Sequence, residues 1–205
     1  MYKKPIIVFE GVEGSGKSLH IDNVSKYLKK NGKKFIKIRE PGGNKNSEKI
    51  RSLILNNKST FNKVTDLLLY FAARNENINN IIKKNIGNKI ILIDRFTDST
   101  IAYQHYGMGI NKKFITTISR FILNKVKVDF TFLNLVSSKN MKLRLSKRKR
   151  LNRYDKFKMN FYKKVQSGFL KIANKNKRNY LVINSNIEIS KNKKIIIKQI
   201  NRLIK

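Results

Sequence analysis

The chain has 205 residues and carries 47 Lys and Arg against 12 Asp and Glu, which gives a formal net charge of +35. Its hydrophobic content of 40% is enough to bury the core of one domain, and the absence of cysteine excludes disulfides and cysteine-ligated metal sites. No apolar run reaches the length of a membrane span, and Ile6 to Phe9 is too short for the core of a signal peptide, so we expect a cytoplasmic protein without a membrane partner.

The first predicted element is an apolar strand, Ile6 to Glu10, followed by a glycine-rich turn and a helix. In that helix Ile21, Val24 and Leu28 share one face, and Gly32 is suited to its C-terminus. The turn matches the pattern G-x-x-x-x-G-K-[ST] in full, between a strand and a helix as the pattern requires. Its residues are Gly11, Val12, Glu13, Gly14, Ser15, Gly16, Lys17 and Ser18.

A loop of this kind binds phosphate through its backbone N–H groups and the N-terminus of the following helix. Lys17 can reach the outer phosphates, and the Ser18 hydroxyl can ligate Mg²⁺. The turn therefore predicts a nucleoside triphosphate site. Two carboxylates are unexpected beside a polyanion: Glu13 within the loop and Glu10 just before it. For Glu10 two alternatives stay open, a hydrogen bond to nearby backbone and an ion pair with an arginine.

Helical and strand-like segments then alternate. Phe35 to Arg39 is a predicted strand, and Ser47 is the predicted N-cap of the next helix. The apolar residues that mark this helix, the long helix after it and the last helix of the chain are Ile50, Leu53, Ile54; Leu67, Leu68, Phe71, Ile78, Ile82; and Ile196, Ile200, Leu203. Further predicted strands are Lys89 to Asp94, Phe130 to Val136 and Tyr180 to Asn184. This alternation predicts an α/β fold with a parallel five-stranded sheet and helices on both faces.

The strand that ends at Asp94 carries a second chemical signal. Asp94 can hold Mg²⁺ through water or orient the attacking oxygen, and Arg95 would point into the same crevice at the carboxyl ends of the strands. A third signal is the densely basic segment 139–158, a candidate mobile insert. In it, Arg144 and Arg148 are four residues apart, so a helix would project both on one side.

The order "FEGVEGSGKS", "REPGG", "YFAAR", "DRFTDSTIAYQ" and then an arginine-rich flap resembles the bacterial type of thymidylate kinase over residues 5–185. The resemblance implies a P-loop NTPase-type sheet in a single nucleoside-monophosphate-kinase domain over residues 1–205, with residues 139–158 as a small mobile LID. It implies transfer of the γ-phosphoryl group of ATP to thymidine monophosphate (dTMP) with Mg²⁺, giving thymidine diphosphate. It also implies a homodimer.

The resemblance also implies roles for individual residues. Lys17, Asp94, Arg95 and Arg148 would be catalytic, the phosphate loop with Arg144 and Arg153 would bind the phosphates of ATP, and Ser18 with Asp94 would hold the metal, Asp94 through water. The residues implied to bind dTMP are Glu13, Arg51, Tyr70, Arg74, Arg95, Thr100, Tyr103 and Gln104. Within this set Glu13 would accept a hydrogen bond from the 3′-hydroxyl of the acceptor's sugar. The Glu40–Pro41 bond of "REPGG" is a candidate for the cis form.

Two alternatives remain open. The first is another nucleoside or nucleoside-monophosphate kinase, which the thymine-edge set Tyr70, Arg74 and Gln104 disfavours. The second is a basic nucleic-acid-binding protein that retains a phosphate loop. The basic residues are spread over ordinary helix surfaces, and no basic groove interleaved with aromatic residues is found outside the flap. We therefore expect no specific nucleic-acid partner.

Overall fold

A computed structural model describes residues 3–205, and its centre is a sheet of five parallel strands. The strands are β1 (Ile6–Glu10), β2 (Phe35–Arg39), β3 (Ile90–Asp94), β4 (Phe130–Leu135) and β5 (Tyr180–Asn184). Their spatial order is β2-β3-β1-β4-β5. This confirms the predicted α/β fold, with β3 and β4 each one residue shorter than the sequence indicated.

Helices cover both faces of the sheet. The α-helices are α1 (Lys17–Lys30), α2 (Lys45–Leu55), α3 (Lys63–Asn77), α4 (Lys83–Asn85), α5 (Thr97–Thr100), α6 (Lys112–Leu123), α7 (Ser138–Ser146), α8 (Met159–Lys175) and α9 (Ile189–Ile204). Ile78–Ile82 and Ile101–Gly107 are π-helical, and Arg153–Lys156 and Lys177–Asn179 are 3₁₀ turns. Across residues 3–205, no helix has both the length and the apolar character needed to cross a membrane.

The core forms because the central strands are apolar on both sides. Ile7 on β1, Leu92 on β3 and Phe132 on β4 are fully buried in the layer that α1 and α9 cover. On the opposite face Ile78 and Ile82 of the π-helical segment join a second buried cluster. Burial of each such side chain contributes about 1.5–3 kcal/mol to folding.

Two predicted helix ends can be compared with the structure. Gly32 adopts a φ of 64° just after α1, as expected for a residue beyond a helix C-terminus. The prediction that Ser47 caps α2 is wrong: the cap is Asn44, whose side chain accepts from the N–H groups of Asn46 and Ser47. Asparagine caps as well as serine does, and Ser47 instead donates to the Ala73 carbonyl oxygen at 2.7 Å, which ties α2 to α3.

The register of the sheet determines which loops meet. Phe9 on β1 is paired with Asp94 on one side and with Phe132 on the other. Because all strands are parallel, their carboxyl ends lie at the same edge. The loop after β1 and the turn after β3 are therefore direct neighbours, and both chemical signals from the sequence lie at that edge.

Candidate active site

The phosphate loop, residues 11–18, joins β1 to α1. Gly11 has a φ of 138°, and a Cβ there would lie 2.3 Å from the carbonyl oxygen of Asn134, so only glycine lets the loop pass β4. Gly14 and Gly16 also have positive φ, at 68° and 84°. The side chains of Val12 and Ser15 are buried beneath the loop. This is the kind of turn with which backbone N–H groups surround phosphate oxygens.

Lys17, the first residue of α1, folds back over this loop. Its Nζ donates to the carbonyl oxygens of Gly11 at 2.9 Å and Val12 at 3.0 Å. Burial, aided by the charge of Arg95, lowers the pKa of Lys17 to about 8. The ammonium group therefore occupies an electrostatically unfavourable position that an anion would improve.

Ser18 and Asp94 are brought together from different elements. Ser18 is the second residue of α1 and Asp94 ends β3, and the Ser18 hydroxyl donates to Asp94 Oδ2 at 2.8 Å. Within residues 3–205 no group of three or more His, Asp or Glu side chains is arranged to hold a metal ion. A hydroxyl beside a carboxylate suits Mg²⁺, which prefers oxygen ligands and takes the rest from water and phosphate. The residues present therefore fit this ion.

Arg95 links the turn after β3 to the phosphate loop. Its Nη1 donates to the Gly11 carbonyl oxygen at 2.8 Å, and its Nη2 donates to Glu13 Oε1 at 2.9 Å. The second oxygen of Glu13 accepts a hydrogen bond from the Tyr103 hydroxyl, whose ring lies beneath the Arg95 guanidinium at 5.1 Å. Burial raises the pKa of Tyr103 well above its usual value, so this hydroxyl keeps its proton. The negative charge of Glu13 is thus offset by Arg95.

Glu10 at the end of β1 is fully buried. Its Oε1 accepts from the N–H groups of Phe96 at 2.8 Å and Ser99 at 3.1 Å, and its Oε2 accepts from the Ser99 hydroxyl at 2.5 Å. Burial first, and then the charge of Asp98, raise its pKa to about 7. Of the two alternatives for Glu10, the hydrogen bond to backbone is therefore the one found.

A buried arginine forms the other end of the site. Arg74 on α3 donates from Nε to Glu40 Oε2 at 2.7 Å, and from Nη2 to the Phe96 carbonyl at 3.0 Å and Thr100 Oγ1 at 2.9 Å. Among residues 3–205, neither Arg74 Nη1 nor Gln104 Nε2 has a hydrogen-bond partner, although both atoms are buried. Unpaired buried donors are costly, so a ligand that offered acceptor groups to these two atoms would be stabilised here.

Arg51 and Tyr70 complete the wall between these two ends. Arg51 Nη1 donates to the Pro41 carbonyl oxygen at 2.5 Å, in the loop whose Glu40–Pro41 bond is cis, as the sequence suggested. Tyr70 lies edge-on to Tyr154 with ring centres 5.9 Å apart. Burial raises the pKa of Tyr70 to about 12.

One cleft of about 220 Å³ connects most of these side chains, although Glu10 does not line it. The predicted site residues that line it are Glu13, Lys17, Ser18, Arg51, Tyr70, Arg74, Asp94, Arg95, Thr100, Tyr103, Gln104 and Arg148. The cleft therefore runs from the phosphate loop to the unpaired donors of Arg74 and Gln104.

Three of the four arginines in the flap, residues 139–158, are each held in a different way. Arg144 on α7 donates to the carbonyl oxygens of Gly14 at 2.8 Å and Ser185 at 2.6 Å, and so joins the flap to the phosphate loop. The prediction that one helix projects Arg144 and Arg148 on the same side is wrong, because α7 ends at Ser146. Arg148 instead follows the helix, where it forms an ion pair with Asp155 and reaches the cleft.

Arg153 lies on the far side of the flap. Its Nη2 donates to Asp66 Oδ1 at 2.5 Å, in the first turn of α3, and Tyr154 donates to the other oxygen of Asp66 at 3.2 Å. These bonds fasten the flap to α3. In this conformation Arg153 is engaged away from the phosphate loop.

The sequence did not identify the carboxylates that hold these arginines. Asp155 had a signal, because Asn152 and Asp155 have the spacing of a capping box, which the structure contains. Glu40 lies in the "REPGG" motif but was not paired with an arginine, and Asp66 had no signal. Glu40 meets Arg74 across 34 residues of chain, and Asp66 meets Arg153 across 87. Ser99 was part of the "DRFTDST" motif but was assigned no role.

Comparison with known proteins gives a consistent result. A family model described as thymidylate kinase matches residues 9–196. The thymidylate kinase of Sulfurihydrogenibium sp. (strain YO3AOP1) is 39% identical over 193 residues, which cover 93% of this chain and 94% of the relative. That of Thermosipho africanus (strain TCF52B) is 38% identical over 178 residues, covering 86% and 88%.

A solved structure is similar over nearly the whole chain. The crystal structure of thymidylate kinase from Ehrlichia chaffeensis superposes with a TM-score of 0.79 at 31% identity. The match covers 97% of this chain and 99% of that one. The similarity therefore extends over nearly the full length of both chains.

Proposed function

Since the chain belongs to the thymidylate kinase family, it is an enzyme that phosphorylates dTMP with ATP, and we propose that it does so with Mg²⁺ and with the side chains that line the cleft. One observation carries the assignment of roles. A single cleft has a phosphate loop at one end and two buried, unpaired donors, Arg74 Nη1 and Gln104 Nε2, at the other.

The donor end would bind the phosphates of ATP. Backbone N–H groups of residues 11–18 and the ammonium group of Lys17 would hold the outer phosphates, with Arg144 beside Gly14 as a further positive charge. Ser18 and Asp94 would hold Mg²⁺, Asp94 through water. When bound, Mg²⁺ supplies positive charge that neutralises the phosphate oxygens during transfer.

The acceptor end would hold dTMP. Arg95 and Arg51 would bind its phosphate, and Tyr70 would stack on the thymine ring. The unpaired donor of Arg74 supports a hydrogen bond to a thymine oxygen, with Gln104 and Thr100 as further contacts to the pyrimidine edge. Tyr103 would lie against the sugar.

Phosphoryl transfer depends on alignment of the two substrates and on charge neutralisation, and it needs no covalent intermediate on the protein. Phosphoryl transfer proceeds in line between two oxygens, and positive groups stabilise the charge on the transferring phosphoryl group. We assign this role to Lys17, Arg95 and Arg148. Arg148 would act from the flap, which as a mobile LID over residues 139–158 would close on the substrates and exclude water.

The proposal is tested by measuring ADP release with ATP, Mg²⁺ and each nucleoside monophosphate in turn. We expect dTMP to give the highest kcat/KM, and chelation of Mg²⁺ by EDTA to abolish turnover. Preference for a purine monophosphate, or for thymidine without its phosphate, would contradict the assigned acceptor contacts. Activity that survives EDTA would contradict the proposed metal.

Substitution of Glu13 should affect the binding of one substrate and not of the other. The substitution Glu13→Gln keeps the size of the side chain but removes the charge that binds Arg95 and the acceptor's 3′-hydroxyl. We expect the KM for dTMP to rise by about tenfold, the equivalent of roughly 1.4 kcal/mol, with the KM for ATP within about twofold of the unchanged protein. Steady-state kinetics measures both. A larger effect on ATP than on dTMP would place Glu13 on the donor side instead.

We also propose that the protein is a cytoplasmic homodimer formed through α3 and α6. These helices pack side by side, and their outer surfaces expose large apolar side chains. Phe121 on α6 is 85% exposed, and Phe114, Val64 and Leu68 are each more than 40% exposed. A second copy of the chain would cover this apolar surface. Sedimentation velocity distinguishes the dimer from a monomer of 24.0 kDa.

A further inference from the structure

Glu10 is a buried carboxylate that takes no part in the chemistry proposed above. It lies at the end of β1, behind the cleft, and is not among the side chains that line it. Each of its oxygens is nevertheless used. Oε1 accepts from the N–H groups of Phe96 and Ser99, and Oε2 accepts from the Ser99 hydroxyl. All three donors belong to the segment that follows Arg95.

Ser99 connects this carboxylate to Arg95. The Ser99 hydroxyl gives its only hydrogen to Glu10 when that carboxylate is ionised, which leaves its lone pairs for a second donor. That donor is Arg95 Nη1, at 3.3 Å. The same Nη1 also donates to the Gly11 carbonyl oxygen. A continuous set of hydrogen bonds therefore runs from Glu10 through Ser99 to the guanidinium of Arg95.

The backbone of Arg95 needs this support. Its φ of 66° lies in the left-handed region, which residues other than glycine rarely adopt. Such a conformation persists only where surrounding contacts enforce it. The N–H of Arg95 donates to the carbonyl oxygen of Phe9 on β1 at 3.0 Å. The next residue of β1, Glu10, accepts a hydrogen bond from the N–H of Phe96. β1 thus fixes the backbone on both sides of the strained residue.

We infer that Glu10 and Ser99 are positioning residues, which orient Arg95 to bind the phosphate of dTMP. This inference rests on the role proposed for Arg95. Glu10 lies outside the cleft, whereas Ser99 lines it beside Arg95. In this proposal both act through the direction of one guanidinium, since Ser99 donates to Glu10 and accepts from Arg95. The neighbouring carboxylate, Asp98, belongs to a separate contact, because it accepts a hydrogen bond from Tyr180 on β5.

The substitution Glu10→Gln is a conservative variant that should preserve the connection to Ser99 and Arg95. Its amide oxygen can accept from Phe96 and Ser99 as Oε1 does, and its amide nitrogen can donate to the Ser99 hydroxyl, which still accepts from Arg95. Glu10→Ala removes the whole anchor, and Ser99→Ala removes only the bridge to Arg95.

The experiment compares binding of dTMP and of thymidine by isothermal titration calorimetry. Thymidine has no phosphate, so its affinity reports on the base and sugar contacts alone. We expect Ser99→Ala and Glu10→Ala to lower the affinity for dTMP by about tenfold and to leave that for thymidine within about twofold. Glu10→Gln should stay within about threefold of the unchanged protein for both ligands. Ser119→Ala, which removes a buried hydroxyl from α6, is the matched control for Ser99→Ala and should change neither affinity.

Arg95→Ala separates failure of this inference from failure of the role on which it rests. If Arg95→Ala lowers the affinity for dTMP but not for thymidine, while Ser99→Ala changes neither, then the positioning role is overturned alone. If Arg95→Ala leaves dTMP binding unchanged, the role of Arg95 and the inference fall together. Equal losses of dTMP and thymidine binding in Ser99→Ala would indicate a general structural defect and would also overturn the inference. Because Ser99 itself lines the cleft, Glu10→Ala, at a residue outside it, separates positioning from a direct contact: a loss of dTMP affinity in Ser99→Ala with none in folded Glu10→Ala would overturn the inference.

Discussion

Replacing Lys17 with alanine is expected to lower kcat by about 10³-fold while the protein stays folded. The ammonium group would stabilise charge on the transferring phosphoryl group, and its replacement leaves a gap at the phosphate loop. Stability should change little, because burial already disfavours the charged form of Lys17 in the free protein and lowers its pKa to about 8. Steady-state kinetics measures the loss of turnover, and circular dichroism on heating measures stability.

The lowered pKa gives an independent check on Lys17. Lys17 is protonated below pH 8 and loses its charge as the pH rises through that value, so kcat/KM for ATP should fall above about pH 8. Lys17→Met keeps the aliphatic stem without the charge and should be as inactive as the alanine variant. Lys26→Ala, on the exposed face of the same helix, should behave like the unchanged protein. Near-normal turnover in Lys17→Met would remove Lys17 from the mechanism.

Arg148→Ala is expected to lower kcat by about 10²- to 10³-fold, with a smaller change in the KM for either substrate. The reason is that an arginine on a flap acts mainly on charge that develops during transfer. Asp155, whose side chain is only 1% exposed, would lose the cation that pairs with it but keep its bonds to Asn152. Since Arg148 itself is 39% exposed, we expect a loss of only about 1 kcal/mol in the free energy of unfolding.

The neighbouring arginine provides the control for this experiment. Arg150 is exposed and two residues away, and Arg150→Ala removes the same charge from the flap. If both variants lose turnover equally, the flap contributes only its general positive charge. If Arg148→Ala retains near-normal kcat, the catalytic role belongs to Arg144 or Arg153. For Arg153 that would require release from Asp66.

Most of the fold could be predicted because it depends on local patterns. The strands are short apolar runs. Three of them are buried on both faces of the sheet, so each appears in the sequence as an almost unbroken run of apolar residues. The start of α2 was wrong because Asn44 and Ser47 are both good caps and the sequence alone does not rank them. The helical continuity between Arg144 and Arg148 was wrong because four-residue spacing does not show where a helix ends.

The site was predictable as a set of residues but not as a set of contacts. The phosphate loop and Asp94 follow from strand ends and motif spacing, which are local. The partners of Arg74 and Arg153, namely Glu40 and Asp66, could not be derived, since ion pairs across the fold leave no periodic signal. The same is true of Glu10, whose two alternatives were distinguishable only from the position of the turn after β3.

The pairing of Phe9 with Asp94 has a consequence for how this enzyme can evolve. The donor loop follows β1 and the acceptor-binding turn follows β3, and adjacent strands are held about 4.8 Å apart by their backbone hydrogen bonds. The spacing between the two substrates is thus set by one pair of buried, hydrogen-bonded strands. Insertions in the flap or in outer loops should change how quickly substrates enter and leave, whereas the distance over which the phosphoryl group travels should stay constant.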